Sequence, residues 1–114
     1  MKNLKKHEED FGLPKEVSDK LKFAFERNSK LNEVFVFGSR AKGTCAEGSD
    51  IDLAILGSDL SWNDLMDLRL DIEDMGLLYS VDLVDFNQLD EQVRGHIKRV
   101  GQPFWRRQEQ VINR

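Results

Sequence analysis

Val34-Phe35-Val36-Phe37-Gly38-Ser39-Arg40-Ala41-Lys42-Gly43, with Ser49-Asp50-Ile51-Asp52-Leu53 shortly after it, is the stretch that decides the fold. The apolar run delivers the chain straight into Gly38. Residues 39–42 can then open a short helix whose first backbone N–H groups have no partner inside the helix and would meet an anion such as a phosphate. Asp50 and Asp52 stand two residues apart in what reads as the next strand, so they point to one face with Cα atoms about 7 Å apart. Carboxylates so placed can converge on one ion, and oxygen ligands favour magnesium or manganese.

Outward from this centre the chain alternates helices and strands. Pro14 suits a first helical turn, and Val17, Leu21, Ala24 and Phe25 mark one apolar face up to Asn28. Residues 33–37 are almost wholly apolar, as a central strand requires, and residues 51–56 form a second such strand interrupted by Asp52. Ser61 and Asp64 make a capping box for a helix through Met75, with Leu65, Leu68, Ile72 and Met75 as its inward stripe. After Gly76 a third strand runs from Ser80 to Phe86. Asn87 and Asp90 can cap a last helix carrying Leu89, Val93, Ile97 and Val100, which ends at Gly101 before Pro103. The expectation is an α/β (α+β) layer structure, a small mixed β-sheet flanked by helices. One domain over residues 1–114 accounts for the whole chain, with residues 1–12 as a loose lead-in.

Composition narrows the partners. Seventeen basic residues against twenty-one acidic ones leave a net charge of -4, so direct nucleic-acid binding is not expected. A lone cysteine, Cys45, excludes an internal disulfide, and the charged N-terminus and short apolar runs carry neither a signal peptide nor a membrane span. A cytoplasmic location is expected. At 114 residues little is left over for a separate acceptor-binding module.

The third strand reads Val81-Asp82-Leu83-Val84-Asp85-Phe86, and Asp82 interrupts an otherwise core-like run just as Asp52 does. A carboxylate among buried residues is costly unless something compensates it. If the two strands lie side by side with Asp52 and Asp82 on one face, three carboxylates with Asp50 can hold two divalent ions, the arrangement that serves phosphoryl or nucleotidyl transfer. Crowding of like charge should raise the pKa of at least one of them. Asp85 points to the other face and reads as a strand-end or capping residue.

With those residues in view, the chain resembles the minimal nucleotidyltransferases of the DNA polymerase β-like superfamily. Their pattern is a Gly-Ser helix opening, an Asp-x-Asp pair about ten residues on, and a third Asp on a later strand. Phe11-Gly12-Leu13-Pro14 and Gly101-Gln102-Pro103-Phe104-Trp105 are also similar to that group. The resemblance implies the polymerase β-like nucleotidyltransferase fold and transfer of a nucleoside monophosphate from a nucleoside triphosphate, ATP above all, to a hydroxyl acceptor with Mg2+ or Mn2+. Asp50 and Asp52 would be metal ligands, and Asp82 the third ligand and base. Gly38 would let the backbone approach the phosphates and Ser39 would hydrogen-bond them, while Arg40 or Lys42 would neutralise their charge. For those two cations a structural role is equally open. The resemblance further implies a separately encoded, all-helical HEPN-type partner in a hetero-oligomer. The enzyme would modify that partner as an antitoxin, or the partner would help bind a small acceptor. The alternative is a non-catalytic nucleotide-binding or regulatory module that keeps the fold.

Other chemically capable residues have simpler readings. His96 falls near the apolar stripe of the last helix and reads as packed or capping, and His7 lies in the lead-in. Cys45 has no histidine nearby and reads as an incidental thiol. Trp62 and Trp105 read as helix-to-core anchors, with docking of a partner open for Trp105 beside Arg106 and Arg107.

Overall fold

A computed structural model describes residues 11–43 and 50–108. Of the residues weighed above, His7, Cys45, Ser49 and most of the lead-in lie outside them. The elements are α1 (Lys15–Arg27), β1 (Leu31–Phe37), α2 (Ser39–Lys42), β2 (Ile51–Gly57), α3 (Trp62–Glu73), β3 (Val81–Asp85), a 3-10 turn (Phe86–Gln88), α4 (Glu91–Val100) and β4 (Gln102–Arg106). The strands form one mixed sheet in the order β3-β2-β1-β4. β1 runs antiparallel to both neighbours, whereas β2 and β3, joined through the α3 crossover, are parallel.

Side-chain alternation divides the sheet into two faces. Val34, Val36, Ile51, Leu53, Ile55 and Leu83 pack with Leu21, Ala24 and Phe25 of α1 and Leu68 and Ile72 of α3 into the main core. Phe35, Phe37, Ala54, Leu56 and Val84 face the other way, where Ile97 of α4, Phe86 and Leu89 cover them. Both central strands are therefore apolar on both sides, which is why they read as continuous hydrophobic runs. Asp52 shares the parity of Ala54, and Asp82 that of Val84, so both carboxylates belong to the second face. Among the described residues no helix is long and apolar enough to cross a membrane.

The capping readings hold except at Asn87, which lies inside the 3-10 turn and does not cap α4. Ser61 and Asp64 make the reciprocal capping box, Asp90 caps α4 by accepting from Val93 N–H, and Asp85 accepts from Asn87 N–H at the strand end.

Several expectations change. The C-terminal Gln102–Arg106 segment is a strand, β4, which pairs with the outer side of β1; Pro103 is tolerated because this is an edge. Trp105 is only 8% exposed and stacks 5.6 Å from Phe25, so it is a core residue and offers no surface for a partner. Trp62, read as an anchor, is instead 70% exposed at the start of α3. His96 is exposed, because α4 is only one face deep on the sheet and its buried position is Ile97. Phe11, at the end of the supposed loose lead-in, lies 6.0 Å from the Phe104 ring.

Candidate active site

Gly38 ends β1 with φ +76 and ψ -156, a conformation essentially reserved for glycine. The reason for a glycine is also steric. A Cβ at this position would run into the Asp52 carboxylate, so the turn and the acid are built against each other. Antiparallel pairing sets this contact, since Phe37 lies opposite Asp52 in the β1–β2 register. α2 follows at once. Lys42 N–H bonds back to Gly38 O at 3.3 Å, and the N–H groups of the opening turn face out of the helix end. Ser39 is half-buried there and Lys42 is exposed at the far end.

Arg40 has a different task from its neighbours. It is 3% exposed, donates from Nε to Asp50 O (3.3 Å) and from Nη1 to Phe11 O (2.8 Å), and lies 5.3 Å above the Tyr79 ring. The guanidinium is thus turned inward as a clamp on the backbone before β2. Of the two roles the sequence left open for Arg40, these contacts are those of the structural one. No local signal could have revealed it, because the acceptors are carbonyls distant in the chain.

Asp52 and Asp82 are direct partners in the parallel β2–β3 register, which puts their Cα atoms about 4.8 Å apart. Partial burial, followed by the charges of Asp82 and then Asp50, raises the Asp52 pKa above its ordinary value of 3.8. The expected like-charge crowding is therefore real at Asp52. Asp50, just before the strand, is close enough to contribute. Among the described residues, however, no three metal-ligating side chains converge into a closed cluster.

The donor chemistry nonetheless fits a hard divalent ion. All three groups are carboxylates, and among the described residues no hydrogen-bond donor or cationic side chain pairs with Asp52 or Asp82. Asp52 is half-buried without a partner, the state a bound cation relieves, whereas Asp50 and Asp82 are exposed beside it.

A Gly-Ser turn wedged against paired aspartates on a mixed sheet is the arrangement expected of a nucleotidyltransferase. Residues 19–110 match the family described as Polymerase beta, Nucleotidyltransferase, and the chain belongs to that family. Among solved structures, a chain of a toxin–antitoxin complex with AMP-PNP is similar at 29% identity, over 80% of this chain and 74% of that one, with a TM-score of 0.66. A minimal nucleotidyltransferase is 31% identical over 75% of this chain and 87% of its own, with a TM-score of 0.61. The complex of tri-AMPylated Shewanella oneidensis HEPN toxin with MNT antitoxin contains a chain of the same fold at 24% identity, covering 82% of this chain and 72% of that one (TM-score 0.62). A comparison with curated proteins gave no match.

Proposed function

We propose that this protein transfers a nucleoside monophosphate from ATP to a hydroxyl acceptor, using two divalent metal ions held by Asp50, Asp52 and Asp82. The observation that carries the reading is the unpartnered, in-register Asp52–Asp82 pair against the Gly38 turn. Support for ATP as donor comes from the similarity to a chain of the toxin–antitoxin complex with AMP-PNP. In the transfer, the acceptor oxygen bonds to the α-phosphorus, the bond from that phosphorus to the oxygen bridging to the β-phosphate breaks, and pyrophosphate leaves. Asp82 takes the acceptor proton. Bound magnesium or manganese would supply charge stabilisation to the attacking and leaving oxygens. Gly38 admits the triphosphate close to the backbone, Ser39 donates a hydrogen bond to it, and Lys42 offers the nearby positive charge.

The resemblance noted above and the similarity to a chain of a toxin–antitoxin complex support an all-helical HEPN-type partner as part of the working unit, as acceptor in an antitoxin reaction. The test is incubation of the protein with a HEPN-type protein from the same host, magnesium and each α-labelled nucleoside triphosphate in turn. Label should pass from ATP to the partner, and Asp82→Asn, folded by circular dichroism, should lose it by several orders of magnitude, each tenfold being about 1.4 kcal/mol of barrier. Undiminished transfer by Asp82→Asn would overturn the assignment. Nucleotide binding without turnover would favour the non-catalytic module.

A further inference from the structure

At the end of the sheet away from Gly38, a pocket of about 460 Å³ opens between the last turn of α1 and α3, lined among others by Arg27, Asn28, Asp67, Leu68, Leu70 and Asp71. That volume is within the range of ligand sites, roughly 300–1,000 Å³. Two large apolar side chains border it in the open. Leu70 is 58% exposed in its wall, and Phe23, also 58% exposed, lies one α1 turn back with its ring 5.7 Å from the Arg27 guanidinium. The charged lining is unevenly paired. Asp64 accepts from Ser61 and Lys30, whereas Asp67 and Asp71, one turn apart on α3, make no hydrogen bond or ion pair among the described residues. Like charges at that spacing repel, so a cation between them is favourable.

A length of chain able to cover this pocket begins beside it. Arg107 N–H pairs with Asn32 O, and its Nη2 donates to Asn28 O at 2.8 Å, so Gln108 stands little more than one arginine side chain away from the pocket lining. Residues 109–114, which follow outside the described residues, read Glu-Gln-Val-Ile-Asn-Arg. Extended chain covers about 3.3 Å per residue, so Ile112 reaches about 13 Å and Arg114 about 20 Å beyond Gln108. Ile112 and Arg114 fall on one side of such a segment.

We propose that residues 109–114 dock back onto their own chain in this pocket, with Ile112 against Leu68 and Leu70 and Arg114 between Asp67 and Asp71. Covering Leu70 with Ile112 removes apolar surface from water, and the Arg114 guanidinium offsets the repulsion of the two aspartates. Glu109, nearest the entry at Asn28, carries the charge that suits Arg27. A segment tethered by so few residues has an effective concentration on the order of millimolar, which favours it over a separate occupant. The pocket and Gly38 lie at opposite ends of β1, so failure of this proposal leaves the nucleotidyl-transfer reading intact.

The test is NMR on the full-length 13C,15N-labelled protein at low concentration. Nuclear Overhauser effects should join the Ile112 and Leu70 methyl groups, and the amides of residues 111–114 should be as rigid as those of β4. Arg114→Glu should lower the docked-to-free ratio, read from the Ile112 methyl shift, about threefold, the scale of a surface ion pair. Adding Asp67→Lys and Asp71→Lys should restore it. Three results would overturn the proposal: Ile112 methyls at unfolded-chain shifts without contact to Leu70, a docked ratio indifferent to Arg114→Glu, or contacts that arise between chains in a mixture of labelled and unlabelled protein, which would make the occupant a second copy. The contact measurement on the wild type needs no variant to fold.

Discussion

Replacing Gly38 by alanine separates two costs that the structure superimposes. The first is backbone strain: φ +76 with ψ -156 is a conformation that L side chains avoid, at about 1–3 kcal/mol. The second is the collision of the new Cβ with the Asp52 carboxylate, which must move away from Phe37 and toward Asp82 or give up its rotamer. Truncating the acid removes only the second cost. Gly38→Ala should therefore destabilise the wild type more than it destabilises Asp52→Ala, with a coupling of about 0.5–3 kcal/mol typical of residues in contact. For a domain of this size each ~1 kcal/mol lowers the melting temperature by roughly 4–8 °C. Urea denaturation of the wild type, both single variants and the double variant measures the coupling directly, with metal chelated throughout. Equal costs of Gly38→Ala in the two backgrounds would refute the argument that the glycine is there to make room for Asp52.

Asp52 also links stability to pH. Its folded pKa is raised, so between 3.8 and the raised value the native state holds more proton than the unfolded chain, and stability falls as pH rises through that window. Asp52→Asn removes this dependence: its stability difference from wild type should be flat below pH 3.8 and grow in the variant's favour above it, which chelated thermal melts across pH will reveal. Arg107 donates to Leu31 O (2.9 Å), Asn28 O (2.8 Å) and Phe25 O (3.4 Å), tying the end of α1 to β1. Arg107→Ala removes three charge-assisted hydrogen bonds to these carbonyls, two of which keep a backbone donor, and should cost about 1–3 kcal/mol by urea denaturation. The two tryptophans should behave oppositely: Trp105→Ala should cost about 3–5 kcal/mol and Trp62→Ala less than about 0.5 kcal/mol in the same assay.

Three strands and three long helices were legible because each has an apolar period and a stop signal of its own. Val34 to Phe37 is apolar at every position, Ser61 and Asp64 form their box within one helical turn, and Gly76 punctuates the chain before β3. β4 had no such signature. Gln102 and Pro103 are poor strand formers, and the segment extends only because the free side of β1 accepts it at Val34↔Trp105 and Phe35↔Pro103. The same pairing buries Trp105 against Phe25, whereas Trp62, equally aromatic, starts a helix whose apolar stripe lies on another side.

The candidate site divides in the same way. That Gly38, Asp52 and Asp82 interrupt their surroundings is a local matter of residue type and spacing, and it was readable from the chain alone. Alternation also determines that Asp52 and Asp82 each oppose the main-core residues of their own strand. What the tertiary structure alone decides is that β2 and β3 pair in parallel with those two residues in register, and that Phe37 brings Gly38 against the Asp52 carboxylate. It likewise decides that Arg40 turns inward to carbonyls at Phe11 and Asp50 rather than outward. Periodicity and capping act over one turn or one strand and are written in neighbouring residues. Register, strand-edge pairing and the partners of a long cationic side chain depend on segments far apart in the chain, and only the folded backbone brings those together.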